Sequence, residues 1–382
     1  MATVTVEAPS TSKLELRTAL GPVYRTVLNK PPRDCTNEEI PIIDLSRLFS
    51  DSLEDRKALA KEVYAAAVAN GFFYIKNHGI PDETIAAARE QGLNFFHQPP
   101  EAKAKASLER SKYFNGWRSA YGTRVNVAES WDTRESFTWR YRPEYDPSPK
   151  PPLAQVPDEV KPFIRGEDFV WDETAHLAGF REAVLAYWSA CITLARRLVR
   201  VFALALDLPE DYFDTRTTYP GADGVLNWYP PSTEEEVRND AVGLGSHTDL
   251  QLFTLLWQDH IGGLQVLTKE GQWIKAKPVE GTIIVNIGDF LMRLSNDIFK
   301  SNVHRVYNRS REERVSMPFF FGLNFNCVEG VIPTCTSAEN PAKYEPISCG
   351  DWCQLRFKQE RDDSNKVQAA REKAPSAVVV PM

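Results

Sequence analysis

Cysteine is scarce: six residues (Cys35, Cys191, Cys327, Cys335, Cys349 and Cys353) serve a chain of 382. So thin a spread favours free thiols over a disulfide framework, and Cys349 with Cys353, the one close pair, has no second pair to complete a zinc site. Long apolar runs are missing as well. No stretch of about eighteen apolar residues spans a bilayer, and the start, Met1-Ala2-Thr3-Val4, lacks the basic head and apolar run of a secretory signal. A cytoplasmic protein with no membrane partner is therefore expected. Basic blocks are also absent, and the net charge is -7, which argues against nucleic acid as a partner and leaves a small molecule.

What is present is an ordinary globular composition, 42% hydrophobic and 11% aromatic, enough for a sizeable core. Residues 1–38 are polar with scattered proline and read as an arm draped over the fold or partly disordered. Residues 39–160 open on the apolar run Ile40-Pro41-Ile42-Ile43-Asp44-Leu45, and the pattern predicts a helix from Leu53 to Asn70 stopped by Gly71. A strand Phe72–Ile75, a helix Pro81–His97, and a long aromatic loop from Tyr113 to Val156 with a strand at Phe137–Tyr141 complete this region. Residues 161–219 carry the longest helical period, Thr174 to Leu206.

In residues 220–335 the pattern changes to short β-rich runs. Val225–Tyr229, Leu252–Trp257, Leu264–Leu267, Trp273–Ala276, Thr282–Ile287, Val303–Val306 and Arg314–Phe321 are predicted strands, and their spacing implies a sandwich or barrel. Residues 336–382 are expected to hold a last helix, from Trp352 to Glu360 and beyond, and a tail ending near the apolar Val378-Val379-Val380.

Within the β-rich region lie five polar residues with joint chemistry. His247 and Asp249 stand at i, i+2, so a strand end turns both to one face, and His304 lies in another predicted strand. Two imidazoles and one carboxylate suit ferrous iron with positions left open for a chelating cosubstrate and dioxygen. Zinc could take the same ligands, but no His-Glu-x-x-His helix or separate general base accompanies them. Ten residues after His304, Arg314 and Ser316 again share a face amid apolar neighbours, where a guanidinium is costly unless it meets an anion such as a carboxylate. His78, His97, His176 and His260 have no partner at ligand spacing and read as structural.

These residues, with Gly71-Phe72-Phe73-Tyr74-Ile75-Lys76-Asn77-His78-Gly79-Ile80, Asn227-Trp228-Tyr229-Pro230 and Val285-Asn286-Ile287-Gly288-Asp289, resemble the iron(II)/2-oxoglutarate-dependent dioxygenases, in the branch similar to isopenicillin N synthase. The resemblance covers roughly Ile40 to Gln359. It implies a mainly β fold with flanking helices, a double-stranded β-helix (jelly-roll) core, and iron on His247, Asp249 and His304. It further implies 2-oxoglutarate held by Arg314 and Ser316 with Asn227 and Tyr229, and ascorbate is expected to support activity. Trp228 departs from the family's Asn-Tyr-Tyr-Pro and is tolerable if it faces away from the site. Pro231 to Val242 is longer and more acidic than usual and is expected to be an exposed loop near the mouth. Gly262, Gly263, Asn286 and Asp289 are expected to shape turns.

The resemblance implies oxidation of a C–H bond of a specialised metabolite by dioxygen, yielding succinate and carbon dioxide, by a monomer or weak homo-oligomer. Tyr121, Phe137, Trp139, Phe321 and Asn324 are the candidate substrate residues, taken from the aromatic loops and strands. Arg118 and Arg134 suit an acidic substrate, though surface ion pairing is the commoner role for such residues. Two alternatives stay open: an iron oxidase of the same fold that does not use 2-oxoglutarate, and a non-catalytic small-molecule-binding protein.

Overall fold

The computed structural model describes residues 10–18 and 21–355. Two sheets face one another. The larger runs in the order β4 (Ile42–Asp44), β5 (Phe72–Lys76), β13 (Thr282–Ile287), β10 (Phe253–Gln258), β15 (Arg314–Asn324), β8 (Pro220–Tyr229), β7 (Glu135–Trp139) and β6 (Gly116–Arg118). The smaller runs β3 (Arg33–Asp34), β12 (Trp273–Lys275), β11 (Leu264–Leu267), β14 (His304–Val306) and β9 (Leu244–His247). From β8 onward the chain passes back and forth between the sheets, so the sandwich-or-barrel expectation resolves into a double-stranded β-helix with helices on one side. Strand β9 carries no strand signal in sequence, because Leu244-Gly245-Ser246-His247 contains a single large apolar residue.

The pleat divides each strand between two cores. On β5, Phe72 and Tyr74 enter the layer between the sheets with Tyr229, Leu264, Val266 and Ile284. Phe73 and Ile75, one residue out of phase, join the layer beneath the helices. Three helices cover that outer face: α1 (Leu53–Ala69), α2 (Asp82–Phe96) and α3 (Phe180–Ala205). The Ser52 hydroxyl caps α1, and Gly71 follows it at φ 71°, where a Cβ would stand 1.8 Å from the Lys300 carbonyl oxygen. Helix α3 begins at Phe180, six residues later than the periodicity suggests, because Gly179 before it is left-handed. It lies on β15 and β8, with Tyr187 Oη donating to Met317 O at 3.0 Å and Trp188 Nε1 to Ala222 O at 3.3 Å.

Two segments differ in detail from expectation. Residues expected as an arm draped over the fold or partly disordered form a hairpin, β1 (Thr11–Thr18) and β2 (Gly21–Leu28), whose Leu14, Leu16, Val23 and Val27 pack on Leu267, Trp273 and Val303 of the main fold. Five aliphatics scattered among Thr, Lys, Glu and Arg are too few to announce a strand pair. The acidic segment expected as an exposed loop holds a short helix, α4 (Glu234–Arg238), nucleated by a reciprocal capping box between Thr233 and Glu236. The chain is helical over 349–355, and the rest of the expected final helix and Val378-Val379-Val380 lie outside the described residues. No helix among the described residues is long and apolar enough to cross a membrane.

The long loop after β7 is tied to α3 by a partly buried ion pair. Arg196 grips Asp146 with two bonds of 2.6 Å, and Tyr141 Oη donates to the same carboxylate at 2.9 Å. Burial alone would raise this carboxyl, but Arg196, the Ser148 amide and Tyr141 outweigh it and hold it below its ordinary value. Its contribution is thus fully present above about pH 4 and is lost as pH falls through the lowered value. Asp146→Ala removes the carboxylate partner of Arg196 and should lower the unfolding free energy by about 1.5–3 kcal/mol at neutral pH. Urea melts between pH 7 and 3 would check this, since the variant should also lose part of the acid-side slope; equal stability of the two proteins at pH 7 would refute it.

Candidate active site

His247 ends β9, Asp249 follows two residues later, and His304 opens β14, where it pairs directly across from His247. Cross-strand pairing therefore brings together ligands that lie far apart in sequence. Nε2 of His247 is 3.6 Å from Asp249 Oδ1 and Nε2 of His304 is 3.8 Å from the same oxygen. Among the described residues this is the one group of three histidine, cysteine or acidic side chains whose donor atoms all lie within 4.8 Å of one another.

Each donor is oriented by its other atom. His247 Nδ1 lies 2.8 Å from Gly245 O and His304 Nδ1 lies 3.2 Å from Asn302 O. A carbonyl only accepts, so Nδ1 carries the proton in both rings and the Nε2 lone pairs face inward. Asp249 Oδ2 accepts from Thr254 Oγ1 and from Asn286 Nδ2, the latter at 2.7 Å, which leaves Oδ1 toward the imidazoles. Burial and the neighbouring His304 hold His247 well below its ordinary value. Burial would raise Asp249, but His304, His247, Asn286 and Thr254 together keep it lowered. Neutral imidazole beside ionised carboxylate is the state a divalent cation requires.

Three side chains from the loop before β7 bracket β9. Asp132 Oδ1 accepts from Gly245 N at 3.1 Å, Glu129 Oε1 accepts from Ser246 Oγ at 2.7 Å, and Asn126 Nδ2 donates to Ser246 O at 3.2 Å. Sequence reasoning missed all three, along with Thr254. It read Asn286 as a turn residue, whereas this side chain holds a ligand carboxylate. The available signal was a cluster of polar residues in a segment with no period of its own.

Arg314, Ser316, Asn227 and Tyr229 meet on the adjoining floor of the cavity. Antiparallel pairing sets Arg314 opposite Tyr229 and Ser316 opposite Asn227. Arg314 is fully buried, with its guanidinium 4.6 Å from the Tyr229 ring. It donates to the Gly262 carbonyl, to Ser316 Oγ at 3.2 Å and to Gln258 Oε1 at 3.1 Å, and no carboxylate pairs with it among the described residues. Gly262 thus orients the arginine besides shaping a turn. Trp228 faces the helices, as its tolerance requires: it stacks on Phe96 and donates to Glu313 at 2.7 Å.

Comparison with known proteins decides what this arrangement belongs to. Residues 216–323 match the family model of the 2OG-Fe(II) oxygenase superfamily, and residues 40–159 match that of the non-haem dioxygenase in morphine synthesis N-terminal region. The chain is 44% identical over 370 residues to the 2-oxoglutarate-Fe(II) type oxidoreductase ppzC of Metarhizium majus, covering 95% of this chain and 99% of that one. The chain belongs to the 2OG-Fe(II) oxygenase superfamily. Among solved structures, the oxygenase is similar to a full-length Neurospora crassa protein in complex with alpha-KG, at 27% identity and TM-score 0.69 over 85% of this chain and 98% of that one. It is also similar to JOX2 in complex with 2OG, Fe and JA, at 29% identity and TM-score 0.68 over 86% and 87%. It is a 2-oxoglutarate- and iron(II)-dependent dioxygenase acting on a small molecule with dioxygen. The donor set fits the metal: two inward lone pairs and an ionised carboxylate with its spare oxygen already bonded.

The cavity of the oxygenase, about 1200 Å³, opens between the sheets and contains the metal donors and Arg314. None of the five expected substrate residues lines it. Phe137 and Trp139 point into the aromatic core under the helices, beside Phe95, Trp171 and Phe180, while their neighbours Ser136 and Thr138 face the cavity. Phe321 packs on Phe253 and Phe320 takes the cavity side, so here too the expectation is one residue out of phase. Asn324 caps Tyr219 N at 2.7 Å, and Tyr121 is half exposed with its hydroxyl on Glu236. His78, His97, His176 and His260 all lie away from the cavity, His97 on Glu313 at 2.7 Å and His176 on Gln98 at 2.5 Å.

The pleat of β15 makes a direct test possible. Phe321→Ala should lower the unfolding free energy by about 3–5 kcal/mol, whereas Phe320→Ala, one residue away, should cost clearly less and alter small-molecule binding instead. Urea denaturation of the pair checks it; equal losses would mean that Phe320 is core.

Proposed function

We propose that the oxygenase oxidises a C–H bond of a specialised metabolite, with His247, Asp249 and His304 holding iron(II) and Arg314, Ser316, Asn227 and Tyr229 holding 2-oxoglutarate. The observation that carries the cosubstrate assignment is the fully buried Arg314 guanidinium without a carboxylate partner among the described residues. A charge so placed costs several kcal/mol unless an anion meets it, and a planar carboxylate matches its fork.

When bound, iron(II) supplies the redox chemistry that couples conversion of 2-oxoglutarate to succinate and carbon dioxide with oxidation of the prime substrate. The chain supplies position. His247 and His304 keep their protons on Nδ1, Thr254 and Asn286 pin Asp249, and Gly262 with Gln258 aims Arg314. Leu256, Leu264 and Val306 line the cavity beside them and exclude water. Hydroxylation is the default outcome, with desaturation and ring closure or expansion open to the same chemistry. We also assign the protein to the cytoplasm, supported by six free thiols, and read it as a monomer or weak homo-oligomer.

Purified protein with iron(II) and 2-oxoglutarate should form succinate in step with oxygen uptake; oxygen uptake without succinate would favour an iron oxidase of the same fold, and neither would favour a binding protein. His247→Ala should abolish iron retention and turnover, and Asn286→Ala should weaken iron binding about 10- to 100-fold. Arg314→Ala should raise the 2-oxoglutarate KM far more than that of the prime substrate. A rise confined to the prime substrate would move Arg314 to the substrate site.

A further inference from the structure

A second arginine in the cavity has fewer partners than the first. Arg134, which the sequence offers either to an acidic substrate or to surface ion pairing, lines the cavity immediately before β7. Its Nη1 donates to Asn227 Oδ1, while its Nε is buried without any partner. Of the acids near it in sequence, Glu135 accepts from Lys103 at 2.7 Å and from Trp117 Nε1 at 2.7 Å, and Asp132 accepts from the Gly245 amide through Oδ1 alone. Asp132 feels the charge of Arg134, although burial pushes its carboxyl up to about 6, and its Oδ2 is buried without a hydrogen-bond partner, so the two groups do not meet as an ion pair. No ion pair to Arg134 occurs among the described residues.

Register locates it further. Glu135 pairs with Trp228 and Ser136 with Asn227, so continuing the antiparallel ladder by one residue sets Arg134 opposite Tyr229, whose other neighbour is Arg314. Two guanidinium groups thus flank Tyr229 in one row, their backbones about two strand spacings, or roughly 10 Å, apart. A guanidinium is always charged and has five donors and no acceptor, so one bond to an amide oxygen leaves donors unused in a side chain that lines the cavity.

We propose that Arg134 is a second carboxylate-binding residue of the cavity, distinct from Arg314. The inference rests on the cosubstrate reading of Arg314 given above. The carboxylate has two available sources, the keto-acid end of 2-oxoglutarate or an acidic group on the prime substrate, and both present the same chemistry to the guanidinium.

Arg134→Gln removes the charge but keeps an amide that can donate to Asn227, and Arg134→Lys keeps the charge. Each protein, loaded with iron(II) under anaerobic conditions, is titrated with 2-oxoglutarate and followed by charge-transfer absorbance and calorimetry. If the cosubstrate is the source, Arg134→Gln should raise the 2-oxoglutarate Kd about 10- to 100-fold, the loss of one charge-assisted bond, and Arg134→Lys should recover much of it. If the prime substrate is the source, that Kd stays unchanged. Phenylacetate and 4-phenylbutyrate should then bind the 2-oxoglutarate-loaded wild type and Arg134→Lys more tightly than Arg134→Gln, and the matching amides should not discriminate. Equal behaviour of Arg134→Gln and wild type in both titrations overturns the proposal, as does an equal loss in the Gln and Lys variants, which would make the residue a support for Asn227. Failure of wild type itself to bind 2-oxoglutarate would instead count against the cosubstrate reading.

Discussion

The constraint on which this molecule depends is the two-residue pleat of β7, β8, β15 and β10. Each of these strands has helices on one side and the cavity on the other, so neighbouring residues have opposite duties. Val315, Met317, Phe319 and Phe321 hold the helices on, while Arg314, Ser316, Pro318 and Phe320 build the cavity floor. A slip of one residue would expose one set and bury the other, which makes the register costly to change. Stability and chemistry are therefore written on alternate positions of the same strands.

Electrostatics decides what that floor accepts. The cavity places a buried carboxylate beside two imidazoles, His247 held well below its ordinary value, at one end and a buried guanidinium at the other. Neither end is satisfied by the chain alone, since inward lone pairs and an unpaired guanidinium both await a partner of opposite character. The surrounding polar residues prevent self-satisfaction: Thr254 and Asn286 take one oxygen of Asp249, and the Gly262 carbonyl and Gln258 turn Arg314 without neutralising it. The loop before β7 completes the arrangement by fixing the backbone of β9, and the N-terminal hairpin reaches that same loop, with Asn126 Nδ2 donating to Glu15 O at 2.8 Å.

Much of this was legible because its signals are local. The helices over Leu53–Ala69 and Asp82–Phe96 and the strands Leu264–Leu267 and Thr282–Ile287 follow from apolar period and glycine or proline stops. His247 with Asp249, and Arg314 with Ser316, share faces by the i, i+2 rule. The hairpin at the N-terminus, the capped helix after Thr233 and strand β9 were illegible, because each is made mainly of polar or small residues stabilised by contacts with distant parts of the chain.

The sequence by itself determined which residue types could meet a ferrous ion and a dicarboxylate, since donor chemistry belongs to the side chains and short spacings control which of them share a face. Only the tertiary structure decided which aromatics are core and which line the cavity. Phe137 and Ser136, or Phe321 and Phe320, have nothing in their own chemistry to say which side of the sheet is occupied by helices. The same holds for Arg134 and Arg314: both are arginines near strand ends, and it took the pairing of β7, β8 and β15 to set them in one row on either side of Tyr229.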